Sequence, residues 1–229
     1  MNPVTTSPRS TATATALSIT IALTAGCWVV ALKCMRGMDD GAATALGPFA
    51  AFSVVWVSMM AAMMLPGALP GIVRRARTTG GGAVPRFVVS YLLVWSAAGL
   101  VVFALYRPHS TVVAGAMVML AGLYELTPVK QHFRGRCRAS LGSGFEFGLC
   151  CVGSSGGLML LLLALGPMSA FWMVVVTVLG LAQKWLPAKA VLDVPLALAI
   201  TGFGILVILA PAALTGVLPQ VGPAMMPGM

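Results

Sequence analysis

Residues 134–168 read RGRCRASLGSGFEFGLCCVGSSGGLMLLLLALGPM. The segment opens basic and carries a carboxylate, Glu146. It places the adjacent thiols Cys150 and Cys151 at the start of an apolar run, then puts glycine and serine where bulky residues would be expected. Gly144 and Gly148 stand four apart, as do Gly153 and Gly157. On a helix each pair shares one face and admits the backbone of a neighbour. The pattern predicts the central helix of a transmembrane bundle, with both thiols about one turn in from Glu146.

Composition agrees. The 229-residue chain is 59% hydrophobic and 8% charged, with a mean hydropathy of +0.98, outside the range of an ordinary soluble domain. It has room for about seven spans of roughly 20 residues with short loops, and none for a separate soluble domain. The net charge of +9 does not mark a nucleic-acid binder, because the basic residues fall between apolar runs with no interleaved aromatics. It reads as a topology signal and as contact with anionic lipid. The bilayer is thus the expected partner, with a membrane protein or a second copy of the chain as further possibilities. Five cysteines without framework spacing do not form a disulfide scaffold.

In chain order, residues 1–15 are rich in Thr, Ser and Pro and are expected to be disordered. A single bundle follows over 16–210, with spans at about 16–32, 48–65, 87–106, 111–126, 145–165, 170–186 and 196–210. An apolar Met/Pro tail, 211–229, closes the chain. LTAGC, residues 23–27, resembles a lipoprotein processing site, but Thr24 replaces the usual aliphatic residue and the apolar run continues to Leu32, which favours a retained span. Pro66-Gly67 is expected to stop the second span. No charge occurs from Phe147 to Gln183. As one helix this run would be about 55 Å long, against a bilayer core of about 30 Å, so a break is placed at Gly166-Pro167. With alternating sides, Lys33, Arg36 and Arg107 are the three basic residues on one side, and the other eleven of the fourteen Lys and Arg lie opposite. That asymmetry puts the N-terminus inside and the C-terminus outside.

Depth then sorts the chemistry. Met59, Met60, Met63 and Met64 end the second span, Glu125 ends the fourth, and Glu146, Cys150 and Cys151 begin the fifth, all toward the inner leaflet. His132 and Cys137 lie on the adjoining basic loop. Thiols and thioethers suit Cu(I) far better than magnesium or calcium. Methionine and cysteine also serve as plain core packing, and adjacent cysteines on a helix point about 100° apart. Glu125 and Glu146 are the candidates for proton or charge coupling, with Glu146 favoured because it meets the helix dipole. Lys184 is expected to snorkel to the surface. Cys34, Met35, Met38, His109, Met168, Met225, Met226 and Met229 form a looser set on the outer side. No nucleotide loop, Ser-His-Asp set or zinc helix is present, and two histidines are too few for a multi-histidine centre.

WVSMMAAMMLP at 56–66, AGLYELTPVK at 121–130, Cys137-Arg138, GLCCVGSSGGLM at 148–159 and GPM at 166–168 resemble, in this order, the motifs of the family of bacterial predicted metal-binding integral membrane proteins of unknown function. The resemblance covers about residues 50–190 and implies a multi-pass protein of the bacterial cytoplasmic (inner) membrane that binds a metal. It also implies thiols that this chain lacks: Phe133 stands for the first cysteine of the basic segment, Ser154 and Ser155 for a cysteine pair, and Gln183 for a glutamate.

The leading expectation is a non-enzymatic membrane protein that binds or passes a soft transition metal, copper above all. Its ligands would come from Cys137, Cys150, Cys151, the second-span methionines and His132. One alternative is a non-catalytic subunit or scaffold that has lost its metal and receives a partner helix on the glycine face. The third is a proton-coupled transporter of a small solute.

Overall fold

The computed structural model describes residues 8–36, 46–139, 142–186 and 190–210. Residues 1–7, Met38 and the tail 211–229 with Met225, Met226 and Met229 lie outside the described residues, and with them half of the outer sulfur set.

Eight α-helices make up the described chain: α1 (Pro8–Met35), α2 (Phe49–Thr79), α3 (Val84–Leu105), α4 (Thr111–Glu125), α5 (Pro128–Ala139), α6 (Gly144–Leu165), α7 (Ala170–Trp185) and α8 (Ala190–Leu209). A single 3₁₀ turn, Gly81–Ala83, joins α2 to α3. The architecture is all-α. α1, α2, α3 and α6 are each long and apolar enough to cross a membrane, and α4 with α5 forms a fifth candidate bent by 60°. α7 and the Asp193–Leu209 part of α8 are apolar but shorter. Helices therefore occupy every segment expected to span, although four or five of them reach spanning length.

Local chemistry explains the boundaries. Ser143 caps α6 by accepting the Glu146 N–H at 3.2 Å, and Ser110 caps α4. Gly166 ends α6 with φ of 128°, a conformation L side chains rarely adopt. The uncharged run is thus broken into α6 and α7 at Gly166-Pro167.

Two segments differ from expectation. α2 does not stop at Pro66-Gly67 but runs on to Thr79 with Pro66 and Pro70 inside it. Each proline removes one backbone donor, a loss that tertiary packing on a buried helix offsets. Leu65, Ala68 and Ile72 are all fully buried around them. Residues 128–139, expected as a basic loop, form α5. Thr127 accepts the Lys130 N–H at 3.4 Å and Pro128 takes the first helical position, which is a helix-start signal that charge density obscured.

α6 sits at the centre, packed against α3, α4, α5 and α7, while α2 bridges α1, α3 and α7 and α8 lies along α4. Missing side chains make these contacts close. A Cβ on Gly144 would stand 2.0 Å from the Phe87 carbonyl oxygen, and one on Gly148 would stand 2.9 Å from Val94, so this pair seats α3. Gly153 seats the Phe133 ring of α5 at 2.5 Å, and Gly157 seats Glu125 and Ala121 of α4 at 2.7 and 3.0 Å. Both glycine faces are therefore filled by helices of the same chain. Large apolar side chains such as Leu93, Leu105, Leu198 and Leu209 face outward, as a lipid-facing surface requires.

Candidate metal site

Four elements bring sulfur and charge to one end of the bundle. From the midpoint of α2, Met64 is buried. From the second turn of α6, Cys151 is fully buried, with its Sγ 3.2 Å from the Tyr91 hydroxyl of α3. That hydroxyl also donates to the Met64 carbonyl at 3.3 Å. From the last turn of α7, the Lys184 ammonium lies 2.8 Å from Cys151 Sγ and 3.8 Å from Met64 Sδ. Lys184 does not snorkel outward as expected. It turns in because Gly67 leaves a gap: a Cβ there would stand 2.6 Å from Lys184 Cδ.

Cys137 completes the group from α5. Lys130, Arg134 and Cys137 follow at i, i+4 and i+7 and so share one face of that helix. The first two are buried and Cys137 is half-buried. The Cys137 Sγ lies 3.9 Å from the Phe147 carbonyl oxygen in the first turn of α6. Beyond the 60° bend that separates α5 from α4, burial and then the neighbouring Cys151 push the Cys137 thiol well above its ordinary value, with Lys184 pulling the other way. The thiol therefore stays protonated until a ligand displaces the proton. A cavity of about 220 Å³ opens beside it, lined by Gly67, Pro70, Arg74, Arg134, Cys137, Arg138, Phe147, Ser154 and Lys184.

A polar network clamps α5 in place. Lys130 and Glu125, both fully buried, form an ion pair, and the Gln183 amide also donates to Glu125. Burial pulls the Lys130 ammonium below its ordinary value, and Glu125 opposes that shift. Arg134 Nη1 donates to both oxygens of Asp193 at 2.7 and 2.8 Å, while its Nη2 donates to the Gln183 carbonyl. Gln131 reaches Asp193 at 3.2 Å. Ends of α4, α5, α7 and α8 are thereby tied together.

The sequence candidates separate accordingly. Cys151 and Met64 meet at the Lys184 ammonium, Cys137 lines the cavity that Lys184 also lines, and Cys150 is buried beside Cys151 in α6. Met59, Met60 and Met63 are buried in the same apolar core, and Met60 precedes Met64 by one turn on the same face. His132 is exposed, about 200° around α5 from Lys130 and Arg134, and packs edge-on to Phe133. Glu146 is exposed in the capping turn of α6, whereas Glu125 is the buried carboxylate. Lys184, Tyr91, Ser154 and Asp193 were not singled out as site residues. The one sequence signal for Lys184 was a glycine, Gly67, facing a long cation from another helix, and only packing pairs the two.

Among the described residues no three His, Cys, Asp or Glu side chains come together as a metal-holding group. The soft donors at this end of the bundle are the Cys151 thiol and Met64 thioether against Lys184 and the Cys137 thiol on the cavity, a chemistry that suits a soft monovalent ion of low coordination number and not a hard or multi-histidine site. Comparisons with curated proteins and with solved structures gave no match. The family model of the PpoB2 copper chaperones matches residues 53–207, more than half of the chain and all of the helices that build this site. The chain belongs to the PpoB2 copper chaperone family.

Proposed function

We propose that this protein is a multi-pass membrane copper chaperone that takes up Cu(I) as cargo at Cys137, Cys151 and Met64, with Cys150 beside them. The observation that carries the reading is the meeting of the Cys151 thiol of α6 and the Met64 thioether of α2 at the Lys184 ammonium, which with Cys137 of α5 lines a small cavity. Cysteine is rarely exposed in a core, and burial alone explains one thiol. It does not explain a thiol and a thioether from two helices placed against a half-buried ammonium, 2.8 Å from Cys151 and 3.8 Å from Met64. The Lys184 cation stands where a bound cation would stand. The role is non-enzymatic: the ion is held and handed on at the same oxidation state.

In the same reading the seven apolar helices α1 to α4 and α6 to α8 span the bacterial cytoplasmic membrane, and α5 lies at its inner surface. The N-terminus is inside and the copper site faces the inner leaflet. Support comes from the clustering of Arg74, Arg134, Arg138 and Lys184 around one cavity at one end of the bundle. α2, at 31 residues, would be about 46 Å long, so its arginine-bearing end projects past a core of about 30 Å.

The test is elemental analysis of the protein, purified in mild detergent under reducing conditions and supplied with Cu(I). Near-stoichiometric copper is expected in the wild type, with most of it lost in Cys151→Ser and in Cys137→Ser/Cys151→Ser. Unchanged copper in the double variant would rule this site out. Absence of copper from every form would favour a membrane subunit that has kept the bundle and lost the metal, with Phe133, Ser154 and Ser155 where the resemblance implies thiols.

A further inference from the structure

The cavity beside the sulfur cluster is strongly cationic. Arg74, Arg134, Arg138 and Lys184 line it, and none of its described lining residues is acidic. Asp193 neutralises one of the four through Arg134 Nη1. Arg138 donates to the Leu186 carbonyl, an uncharged partner, and Arg74 is among the groups that hold the Arg138 backbone, donating to its carbonyl at 2.8 Å. Arg134 is 95% buried, and its Nε has no hydrogen-bond partner. Such a lining opposes a bare monovalent cation, although the Cys137 thiol within it, and the Cys151 thiol against Lys184, suit one.

These two facts agree if the ion does not arrive bare, and we infer that the cavity receives Cu(I) as an anionic bis-thiolate complex. The inference rests on the copper reading above and adds the form in which the cargo is accepted. Cu(I) with two thiolates carries a net charge of −1, so the arginines attract it and hold it against Cys137. A cavity of about 220 Å³ accommodates the copper and the thiolate ends of its ligands.

Transfer is then a ligand exchange. Two Cu–S bonds to the donor thiolates break, and two form to Cys137 and Cys151. Each leaving thiolate takes up the proton that a protein thiol gives up, and copper remains Cu(I) throughout. The bound product again carries −1, and Lys184, moved from the place the ion takes, remains beside it as counter-charge.

The experiment measures the initial rate of copper uptake by the full chain in detergent, with two donors at matched free Cu(I). One donor is the anionic bis-glutathione-type thiolate complex, the other the cationic acetonitrile complex. Expected is faster uptake from the thiolate complex, with a rate that falls as salt rises. Arg74→Gln/Arg138→Gln should slow uptake from the thiolate complex by about tenfold or more, leave uptake from the cationic complex unchanged or faster, and leave the final copper content intact. Arg74→Lys/Arg138→Lys, which keeps the charge and loses the guanidinium geometry, should retain most of the rate. Equal effects of the Gln changes on both donors, or none on either, would overturn the inference. Wild-type protein that takes copper from neither donor would instead sink the proposed function itself.

Discussion

The ion pair between Lys130 and Glu125 offers a direct test of what holds the site together. Both side chains are 0% exposed. In Lys130→Met the Glu125 carboxylate keeps only the Gln183 amide on Oε2, while Oε1 already has no hydrogen-bond partner. Removing one member of a buried pair costs about 3–5 kcal/mol, because the other charge is stranded out of water. At about 2–4 °C per kcal/mol for a chain of this size, the melting temperature should fall by roughly 6–20 °C. Removing both charges, in Glu125→Leu/Lys130→Met, should recover most of the loss. Thermal unfolding in detergent, followed by circular dichroism, reads these shifts. Copper content at a temperature where every form is folded reads the functional consequence: Cys137 lies on the same face of α5 as Lys130, so the single variant should retain less metal. If Lys130→Met melts within about 3 °C of wild type, or the double variant melts lower than the single, the pair is not the clamp described here.

Three further outcomes are expected. Gly153→Ala places a methyl group 2.5 Å from the Phe133 ring, an overpacking that should cost about 1–3 kcal/mol; adding Phe133→Leu should restore part of the melting temperature, and no restoration would mean that the glycine serves another contact. Gly67→Ala puts a Cβ 2.6 Å from Lys184 Cδ and should push the ammonium off Cys151, exposing Lys184 to amine-reactive reagents with little change in fold; unchanged labelling would refute the seat assigned to Gly67. Because burial raises the Cys137 thiol, Cu(I) must displace its proton, so apparent copper affinity should weaken as pH falls, by up to about tenfold per pH unit for each thiol that binds as thiolate; an affinity flat between about pH 8 and 6 would argue that neither thiol is a ligand.

Much of this was legible in the linear chain. Composition, apolar run lengths and the Gly166-Pro167 break determined a helical protein with a central glycine-lined helix, because burying backbone in an apolar medium demands helices and close helix contacts demand small residues. The i, i+4 spacing of Gly144 with Gly148 and of Gly153 with Gly157 was enough to predict close neighbours on both faces of α6. Sequence also offered Cys137, Cys150, Cys151, the four methionines Met59, Met60, Met63 and Met64, and His132 as soft donors, without saying which of them meet. Tertiary structure decided the rest, since it turns on which surfaces face each other across distant segments. α2 passes through Pro66 and Pro70 because packing offsets the two missing donors. Residues 128–139, whose helix start at Thr127-Pro128 is local, are held against the bundle because Lys130 pairs with the buried carboxylate of Glu125. Lys184 turns inward because Gly67, more than a hundred residues earlier, leaves it room. Local spacing sets the face on which a side chain lies; only the packed bundle sets what that face meets.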